Sequence, residues 1–389
     1  MTAATAGRAT GTAGPDARLR ILHVITHLDM GGAENVAMTL VERLHARAAS
    51  MLFAVLDPSP RSAVGQAMTA QAARLDVPIR TGVAGRFKSG GVLIAARSLA
   101  RAVRAFRPDA IHVHTEIPEL TLAIACLLSA RVRRTPLLRT VHNSTLWIDW
   151  GPIGAIVTRI LSHGHAVAVS RTAAEADARI ATGRTRPWPT VIHNGVTAPP
   201  RATPRAPGAP FALLFAGRLV HQKGADLLPA ILSVARAQSA RRDVTVTIAG
   251  SGALRAAVAA DLRARDWDGW TVSLTDPIAG LAERLGEQDA VLLPSRFEGF
   301  ALLPLEVLMA GVPLVTTTAP GLTEAIPEDY PFQAAPDDVE ALGRLVARVI
   351  DDPAAARALA ADHGARLAER FDVAAMADAY WAQYRALSA

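Results

Sequence analysis

Two glutamates, Glu298 and Glu306, stand with seven residues between them in the segment 295–306, SRFEGFALLPLE. Pro304 is typical of the first turn of a helix, so the spacing predicts Glu298 in a loop and Glu306 at the start of the following helix. Glu298 would then face the hydroxyls of a ligand, while the amides of residues 300–303 would hold a phosphate. Carboxylates at this separation suit a sugar and a ribose better than a metal ion. For Glu306 alone, a contact with the helix dipole is the alternative.

Two permanent cations follow a predicted strand in the segment 215–224, FAGRLVHQKG. Arg218 is expected just before a helix and Lys223 at its start, where a planar guanidinium and a compact ammonium would suit a diphosphate. Only two of the 41 basic residues are lysines, Lys88 and Lys223. An incidental charge on a solvated loop of this arginine-rich chain would usually be an arginine. This alternative therefore explains Arg218 better than Lys223. The segment lacks the G-x-x-x-x-G-K-[ST] pattern of a P-loop.

Paired glycines, Gly31 and Gly32, lie between another predicted strand and a helix. Their backbone amides could approach an anionic ligand at the helix N-terminus. A plain tight turn is the alternative for this loop taken alone, and it lacks the G-x-G-x-x-G spacing of a dinucleotide fold.

The elements that must position these residues are short apolar runs alternating with helical patterns, which is typical of parallel sheets covered by helices. The strands predicted in the first half are 19–26, 51–56, 110–114, 137–141, 166–170 and 190–193. A proline-rich segment, 197–210, indicates a linker. The later predictions are strands at 211–216, 244–249, 271–274, 290–293 and 312–316, and a last helix over 373–387. The predicted fold class is α/β, with two doubly wound domains of similar size.

Composition excludes several classes of protein. The 389 residues are 50% hydrophobic and 20% charged, which excludes a disordered or fibrous chain. The net charge of +6 is spread along the chain, so it favours anionic ligands and gives no case for nucleic acid. The single cysteine, Cys126, excludes a disulfide scaffold. Residues 1–18 lack the apolar stretch of a signal peptide, so we expect a disordered leader on a cytoplasmic protein.

Four motifs occur in order: Gly31-Gly32-Ala33-Glu34, Val191-Ile192-His193-Asn194-Gly195-Val196, Gly217-Arg218-Leu219 with Lys223-Gly224, and the pair Glu298 and Glu306. With these motifs the chain resembles the retaining glycosyltransferases of family 4 over residues 19 to 387. The resemblance implies the GT-B fold, in which two Rossmann-like domains face each other across a cleft. It implies an acceptor domain over 19–200, a nucleotide-sugar donor domain over 201–372, and a helix over 373–389 that crosses back to the first domain.

The resemblance also implies roles for single residues on the donor side. Arg218 and Lys223 would bind the donor's diphosphate, Glu298 the hydroxyls of the transferred sugar, and Glu306 the ribose. His142 matches a position near the primary hydroxyl of the sugar, with a structural histidine as the alternative. The backbone groups expected to contact the donor are those of Gly32, Phe300, Ala301 and Leu302.

For the acceptor, we expect the loops of the first domain to form the pocket, with Gly31, Glu116 and an aromatic platform at Trp147. The resemblance implies transfer of a hexose-type sugar from a UDP- or GDP-sugar, with retention at the anomeric carbon and without a protein nucleophile, metal or other cofactor. A carbohydrate, a lipid-linked glycan and a small metabolite all remain open as acceptors. His112 and His114, on one strand face, are expected to lack further nearby metal ligands of the right type, so we interpret them as core histidines.

Two other functions are alternatives. The segment 248–255, IAGSGALR, begins like a dinucleotide fingerprint and would suit an NAD-dependent oxidoreductase, but Arg255 replaces the third glycine. A two-domain sugar-binding protein without catalysis is the other alternative, although such proteins are usually exported.

Four arginines, Arg97, Arg101, Arg104 and Arg107, follow helical spacing, with Arg80, Arg86 and Lys88 upstream. A solvated face in an arginine-rich chain explains them. Contact with the anionic inner face of a membrane is the competing hypothesis.

Overall fold

The computed structural model describes residues 18–29, 31–57, 61–84, 90–147, 150–180, 187–203, 205–206 and 208–388. Within these residues the chain forms two parallel sheets, one in each half. The predicted class of two doubly wound α/β domains is therefore confirmed. The expected leader lies outside the described residues apart from Arg18, as do Arg86 and Lys88.

The first sheet has strands β1 (Leu19–Ile25), β2 (Ala48–Leu56), β3 (Ile79–Val83), β4 (Ala110–His114), β5 (Leu137–Val141), β6 (His165–Ala168) and β7 (Thr190–Val191). Their order is β3-β2-β1-β4-β5-β6-β7. The helices between them are α1 (Gly32–Arg43), α2 (Ala63–Arg74), α3 (Gly91–Phe106), α4 (Glu116–Leu128), α5 (Ala130–Arg134), α6 (Gly151–Ile160) and α7 (Arg171–Ile180). The strand order reverses between β1 and β4, so the loops after these strands flank a crevice that suits a ligand.

The second sheet has strands β8 (Phe211–Ala216), β9 (Val244–Ala249), β10 (Trp270–Thr275), β11 (Ala290–Leu293), β12 (Leu314–Thr317) and β13 (Gln333–Ala334), in the order β10-β9-β8-β11-β12-β13. Its helices are α8 (Leu228–Gln238), α9 (Arg255–Arg263), α10 (Leu281–Arg284), α11 (Leu302–Met309), α12 (Val339–Asp351) and α13 (Pro353–Arg370). Here the order reverses between β8 and β11. The loops that carry Arg218, Lys223 and Glu298 follow these two strands.

Two strands are missing from the sequence-based prediction, and both lie at sheet edges. β3, IRTGV, is only partly buried and contains a charged residue and a glycine, so it has no apolar run. β13 has two residues. Edge strands bury less side-chain area than central strands, which weakens the hydrophobic pattern that would reveal them.

The last helix, α14 (Val373–Ser388), lies against the first sheet although it follows the second domain. Tyr380 and Tyr384 are fully buried there and pack in one cluster with Ile21 of β1 and Leu138 of β5. Among the described residues, the structure has no helix with the length and apolar character needed to cross a bilayer.

Candidate active site between the two sheets

The loops at the carboxyl ends of the two sheets touch each other directly. A Cβ at Gly299 would lie 1.5 Å from the carbonyl oxygen of His142, so only glycine fits between the two loops. The hydroxyl of Ser144 donates a hydrogen bond of 2.7 Å to the carbonyl of Glu298. These contacts bring His142, from the first domain, beside the Glu298 loop of the second.

Lys223 and Glu298 form the charged centre of the site. The Lys223 Nζ donates to both carboxylate oxygens of Glu298, at 2.6 and 2.8 Å, and the Ser295 hydroxyl donates to Oε1 at 2.7 Å. The Glu298 side chain is 8% exposed and that of Lys223 is 24% exposed. These hydrogen bonds fix the orientation of the two side chains, and the Lys223 side chain remains partly exposed to the cleft.

Lys223 was predicted at the start of an α-helix, but it lies on the 3-10 turn His221–Lys223. Gly224 follows with φ 64, and a Cβ there would lie 2.0 Å from the carbonyl oxygen of Pro294. The close approach of these two loops requires a glycine. The 3-10 turn thus lies against the end of β11, and from this turn Lys223 reaches Glu298.

Arg296 braces the same two loops and was not predicted as a site residue. Its guanidinium donates two hydrogen bonds of 2.7 Å to Asp226, another to Asp337 and a fourth to the His221 carbonyl. The guanidinium of an arginine can hold several acceptors in a fixed geometry. Arg296 therefore acts as a positioning residue. In the sequence, the only indication of this role is that Arg296 lies two residues before Glu298.

Arg218 is the exposed cation of the site. Its Nη2 donates to the amide oxygen of Gln222 at 2.9 Å, and Gln222 donates to the Phe297 carbonyl at 3.2 Å. Across the cleft, Arg218 interacts electrostatically with Glu34 of the paired-glycine loop. Burial raises the pKa of Glu34, against the opposing effects of His27 and Arg218. Glu34 is a second residue that the site prediction left out, although it belongs to the quoted motif.

Glu306 lies on the second turn of α11, later than the predicted helix start. Burial, followed by the nearby charge of Glu283, raises its pKa to about 7. Glu306 forms no ion pair with another residue of the described ranges, and a desolvated carboxyl without such a pair favours its neutral form. A neutral carboxyl can both donate and accept hydrogen bonds with the hydroxyls of a ligand.

The start of α11 has no side-chain cap. Ala301 is its N-cap residue, and the first turn carries no acidic side chain. Uncapped amides at a helix N-terminus favour an anion, which suits the roles expected for Ala301 and Leu302. Phe300 differs from the prediction because it lies before the cap, and its ring stacks on His193 with centroids 5.3 Å apart.

His142 belongs to a cluster of buried histidines. Its Nε2 lies 3.0 Å from Nδ1 of His114, whose Nε2 lies 3.4 Å from Nδ1 of His23. Burial lowers the pKa of His23 and His142 to about 3, and that of His114 falls well below 6.5. These imidazoles are neutral at pH 7, so each offers one donor and one acceptor.

The expectation that His112 and His114 have no further metal ligand nearby was wrong, because His23 lies in the same cluster. The two nitrogens of His112 contact the hydroxyls of Tyr384 and Thr140, at 2.6 and 2.7 Å. The hydrogen bonds explain this buried cluster as part of the core. His23 of β1 and His112 of β4 are directly paired in the parallel sheet, and the spacing within one strand does not reveal such a pair.

The predicted acceptor residues contact neighbours within the first domain. Glu116 is half-buried; burial raises its pKa, and hydrogen bonds with the Trp147 backbone and the Asn143 side chain oppose that rise. Gly32, a predicted donor contact, faces free space, because a Cβ there would meet no atom within 4 Å. Gly31 lies against the Glu34 carboxylate. Trp147 is no aromatic platform: it is 7% exposed and its ring packs where a side chain at Gly154 would stand. Residues 148–149, which follow Trp147, lie outside the described residues.

The glycines of the dinucleotide-like segment have a structural role. A Cβ at Gly250 would lie 1.9 Å from the Gly217 carbonyl oxygen, and Gly252 has φ 151. Arg255 donates to the carbonyls of Gly250 and Thr275, at 2.5 and 2.8 Å. The segment therefore packs against the loop that carries Arg218. This packing explains why glycines are needed here, so they do not require a bound dinucleotide.

Comparison with known proteins gives two family matches. The model for Glycosyltransferase Family 4 matches residues 30–198, and that for Glycosyl transferases group 1 matches residues 210–352. The glycogen synthase of Mycobacterium tuberculosis is 32% identical over 290 residues, which cover 69% of this chain and 66% of that protein. The 2-deoxystreptamine glucosyltransferase of Streptomyces kanamyceticus is 34% identical over 145 residues, 36% of either chain.

Among solved structures, HepE from Anabaena in complex with UDP and glucose superposes with a TM-score of 0.76. The sequence identity is 17%, and the match covers 95% of this chain and 100% of HepE. This likeness confirms the GT-B fold. The chain belongs to family 4 of the glycosyltransferases, and its second domain matches the model for Glycosyl transferases group 1.

Proposed function

We propose that the protein transfers a hexose-type sugar from a nucleoside-diphosphate sugar to an acceptor hydroxyl, with retention of anomeric configuration. The observation that carries this proposal is the buried pair of Lys223 and Glu298, which lies where the strand order of the second sheet reverses. Arg218 and the uncapped start of α11 follow the same two strands. The glycogen synthase and glucosyltransferase names of two relatives support a sugar as the transferred group.

In the proposed reaction, the bond between the anomeric carbon and the donor phosphate oxygen breaks first. The acceptor oxygen then bonds to that carbon from the same face, and its proton passes to the departing phosphate oxygen. Arg218, Lys223 and the α11 amides would meet the charge that grows on the diphosphate. One such fixed donor is typically worth ~10²–10³ in rate.

The sugar itself would lie between the two domains. Glu298, already hydrogen-bonded by Lys223 and Ser295, would accept hydrogen bonds from its hydroxyls. The neutral His142 would contact the primary hydroxyl, and Glu116 the acceptor. Because two cations and a helix terminus supply positive charge, the proposal requires neither a metal ion nor another cofactor, and transfer should persist in EDTA.

A donor screen tests this proposal. The full chain is incubated with UDP-, GDP- and ADP-sugars, and nucleotide release and thermal stabilisation are measured in EDTA. UDP-glucose is the first donor to test, since HepE was crystallised with UDP and glucose. One donor should raise the melting temperature and release its nucleoside diphosphate. Stabilisation by NAD, with none by any nucleotide sugar, would instead favour the oxidoreductase alternative.

Contact with an anionic membrane is a further part of the proposal. Arg97, Arg101 and Arg104 are exposed on α3, and Leu93 and Ile94 near its start are 44% and 59% exposed. Exposed apolar and basic groups on one helix suit a membrane surface. Replacing the three arginines by serine should reduce binding to anionic vesicles. Unchanged binding would show that the arginines form only a solvated face.

A further inference from the structure

A groove of about 610 Å³ lies on the second domain, at the opposite end of the sheet from Lys223 and Glu298. Phe211 at the start of β8, Asp289 just before β11 and Gly311 before β12 line it, so it follows the amino ends of the strands. The start of α13 forms one wall, and the other is formed by linker residues Arg201, Ala202, Arg205, Ala206, Gly208 and Ala209. No step of the proposed transfer uses this region.

Four arginines line the groove: Arg201, Arg205, Arg241 and Arg357. Arg241 is neutralised by Asp243, which it contacts with two hydrogen bonds of 2.9 and 3.1 Å. The other three have one carboxylate between them, that of Asp289. The groove therefore carries an excess positive charge of about two.

The ion pairs of Asp289 are also loose. It lies 3.4 Å from Arg205 and 3.4 Å from Arg357, beyond the ~2.7–2.9 Å of a strong charge-assisted hydrogen bond. Nη1 of Arg357 is buried and has no hydrogen-bond partner within the described part of the chain. Arg201 is exposed and forms no ion pair with any described residue. A buried guanidinium donor without an acceptor costs free energy that an anionic ligand would recover.

The rest of the lining is small and apolar. Ala202, Ala206 and Ala209 of the linker face Ala354, Ala358 and Ala361 of α13, with Phe211 and Pro353 beside them. Such a volume is in the ~300–1,000 Å³ range of small-molecule sites, and it exceeds the size of a phosphate ion. The combination suits a molecule whose phosphate meets the arginines while its body lies on the alanines.

We propose that this groove binds a phosphorylated small molecule, held by Arg201 and Arg205 of the linker and Arg357 of α13. Because the ligand would join the linker to the body of the second domain, it would stiffen the connection between the two domains. Its site is separate from the proposed donor site, so both ligands bind together.

The test is a calorimetric titration of the full chain with ribose 5-phosphate, ribose and inorganic phosphate at low ionic strength, with UDP present in saturating amount. Ribose 5-phosphate should bind at one site and at least about tenfold more tightly than ribose. Arg201→Gln combined with Arg357→Gln should weaken it about tenfold or more. The matched control combines Arg263→Gln with Arg344→Gln, two exposed arginines outside the groove, and should bind as the unaltered chain does.

If the double variant fails to fold, the single variant Arg201→Gln is titrated instead. It removes no ion pair with a described residue, so it should fold and bind ribose 5-phosphate more weakly. Equal binding by the groove and control variants would overturn the proposal, as would binding of ribose 5-phosphate that is seen without UDP and lost when UDP is present at saturation. Absence of binding by every probe up to about 10 mM would overturn it too. These readouts need no sugar transfer, so failure of the proposed function leaves them unaffected.

Discussion

On the second-domain wall of the cleft the polar groups are charged and held by one another, as in the contacts of Lys223 with Glu298. On the first-domain wall the corresponding groups are three neutral imidazoles. One nitrogen of His142 contacts His114, and the other nitrogen of His114 contacts His23. The charged wall keeps partial exposure at Lys223, whereas the histidines are buried.

The two walls therefore suit different parts of a ligand. Fixed cations stabilise the charge of a diphosphate, and a neutral imidazole forms hydrogen bonds with hydroxyls without competing for that charge. Because burial lowers the pKa of the histidines, they carry no charge at pH 7, and the cations Arg218 and Lys223 lie on the second-domain wall. The following substitutions test this division.

Glu298→Gln should have the largest effect. It removes the negative charge that orients Lys223 and would hold the sugar, so transfer should fall by at least ~10² while the fold persists. Steady-state transfer and far-UV circular dichroism measure the two properties. Glu287→Gln breaks an exposed pair with Arg284 and serves as the control, with transfer changed by less than about twofold. Near-normal transfer by Glu298→Gln would show that the charged wall is not the catalytic one.

His142→Asn should have the next largest effect, lowering kcat about tenfold or more while the Kd for the nucleoside diphosphate stays unchanged. Because burial lowers the pKa of His142 to about 3, transfer should show no ionisation of this imidazole between about pH 5 and 8. His165→Asn changes an exposed histidine and is the control. A weaker nucleotide Kd in His142→Asn would contradict the division between the walls.

Glu306→Gln should weaken nucleotide binding about tenfold and raise stability at high pH. The pKa of Glu306 is raised to about 7 from 4.5, so the folded state loses stability as pH rises through this window. The variant should therefore melt a few degrees higher at about pH 8 and show little gain near pH 4.5. Glu340→Gln, at an exposed glutamate, should show neither effect. A gain that is constant with pH would contradict the raised pKa.

Glu324→Gln should have the smallest effect on transfer, because it changes a contact between the domains. Glu324 accepts hydrogen bonds from the amides of Arg171 and Thr172 at 2.7 and 2.9 Å and lies 3.3 Å from His193. Burial opposes its ionisation, yet these bonds lower its pKa to about 2. Its stabilising contribution is complete above about pH 4.5 and is lost as pH falls towards 2. Scanning calorimetry should show a melting temperature a few degrees lower at pH 7, and equal stability at pH 7 would contradict the role.

The central strands were predictable from sequence because burial on both faces gives continuous apolar runs, as in the strands that precede Lys223 and Glu298. The edge strands and the 3-10 turn under Lys223 were not, because partial burial and backbone contacts leave no periodic pattern. Trp147 shows the same limit: its residue type suits a binding platform, but its packing on Gly154 depends on a neighbouring helix.

Local periodicity and charge along the chain are enough to predict the two α/β domains, the loops between strands and helices, and the charged residues in those loops. The pairing of Lys223 with Glu298, the contacts of Arg296 with their loops, and the contact of His23 with His114 arise from packing between distant segments. These contacts join residues far apart in the chain. They depend on strand order and on loop-to-loop distances, and neither property is encoded in the spacing along one segment.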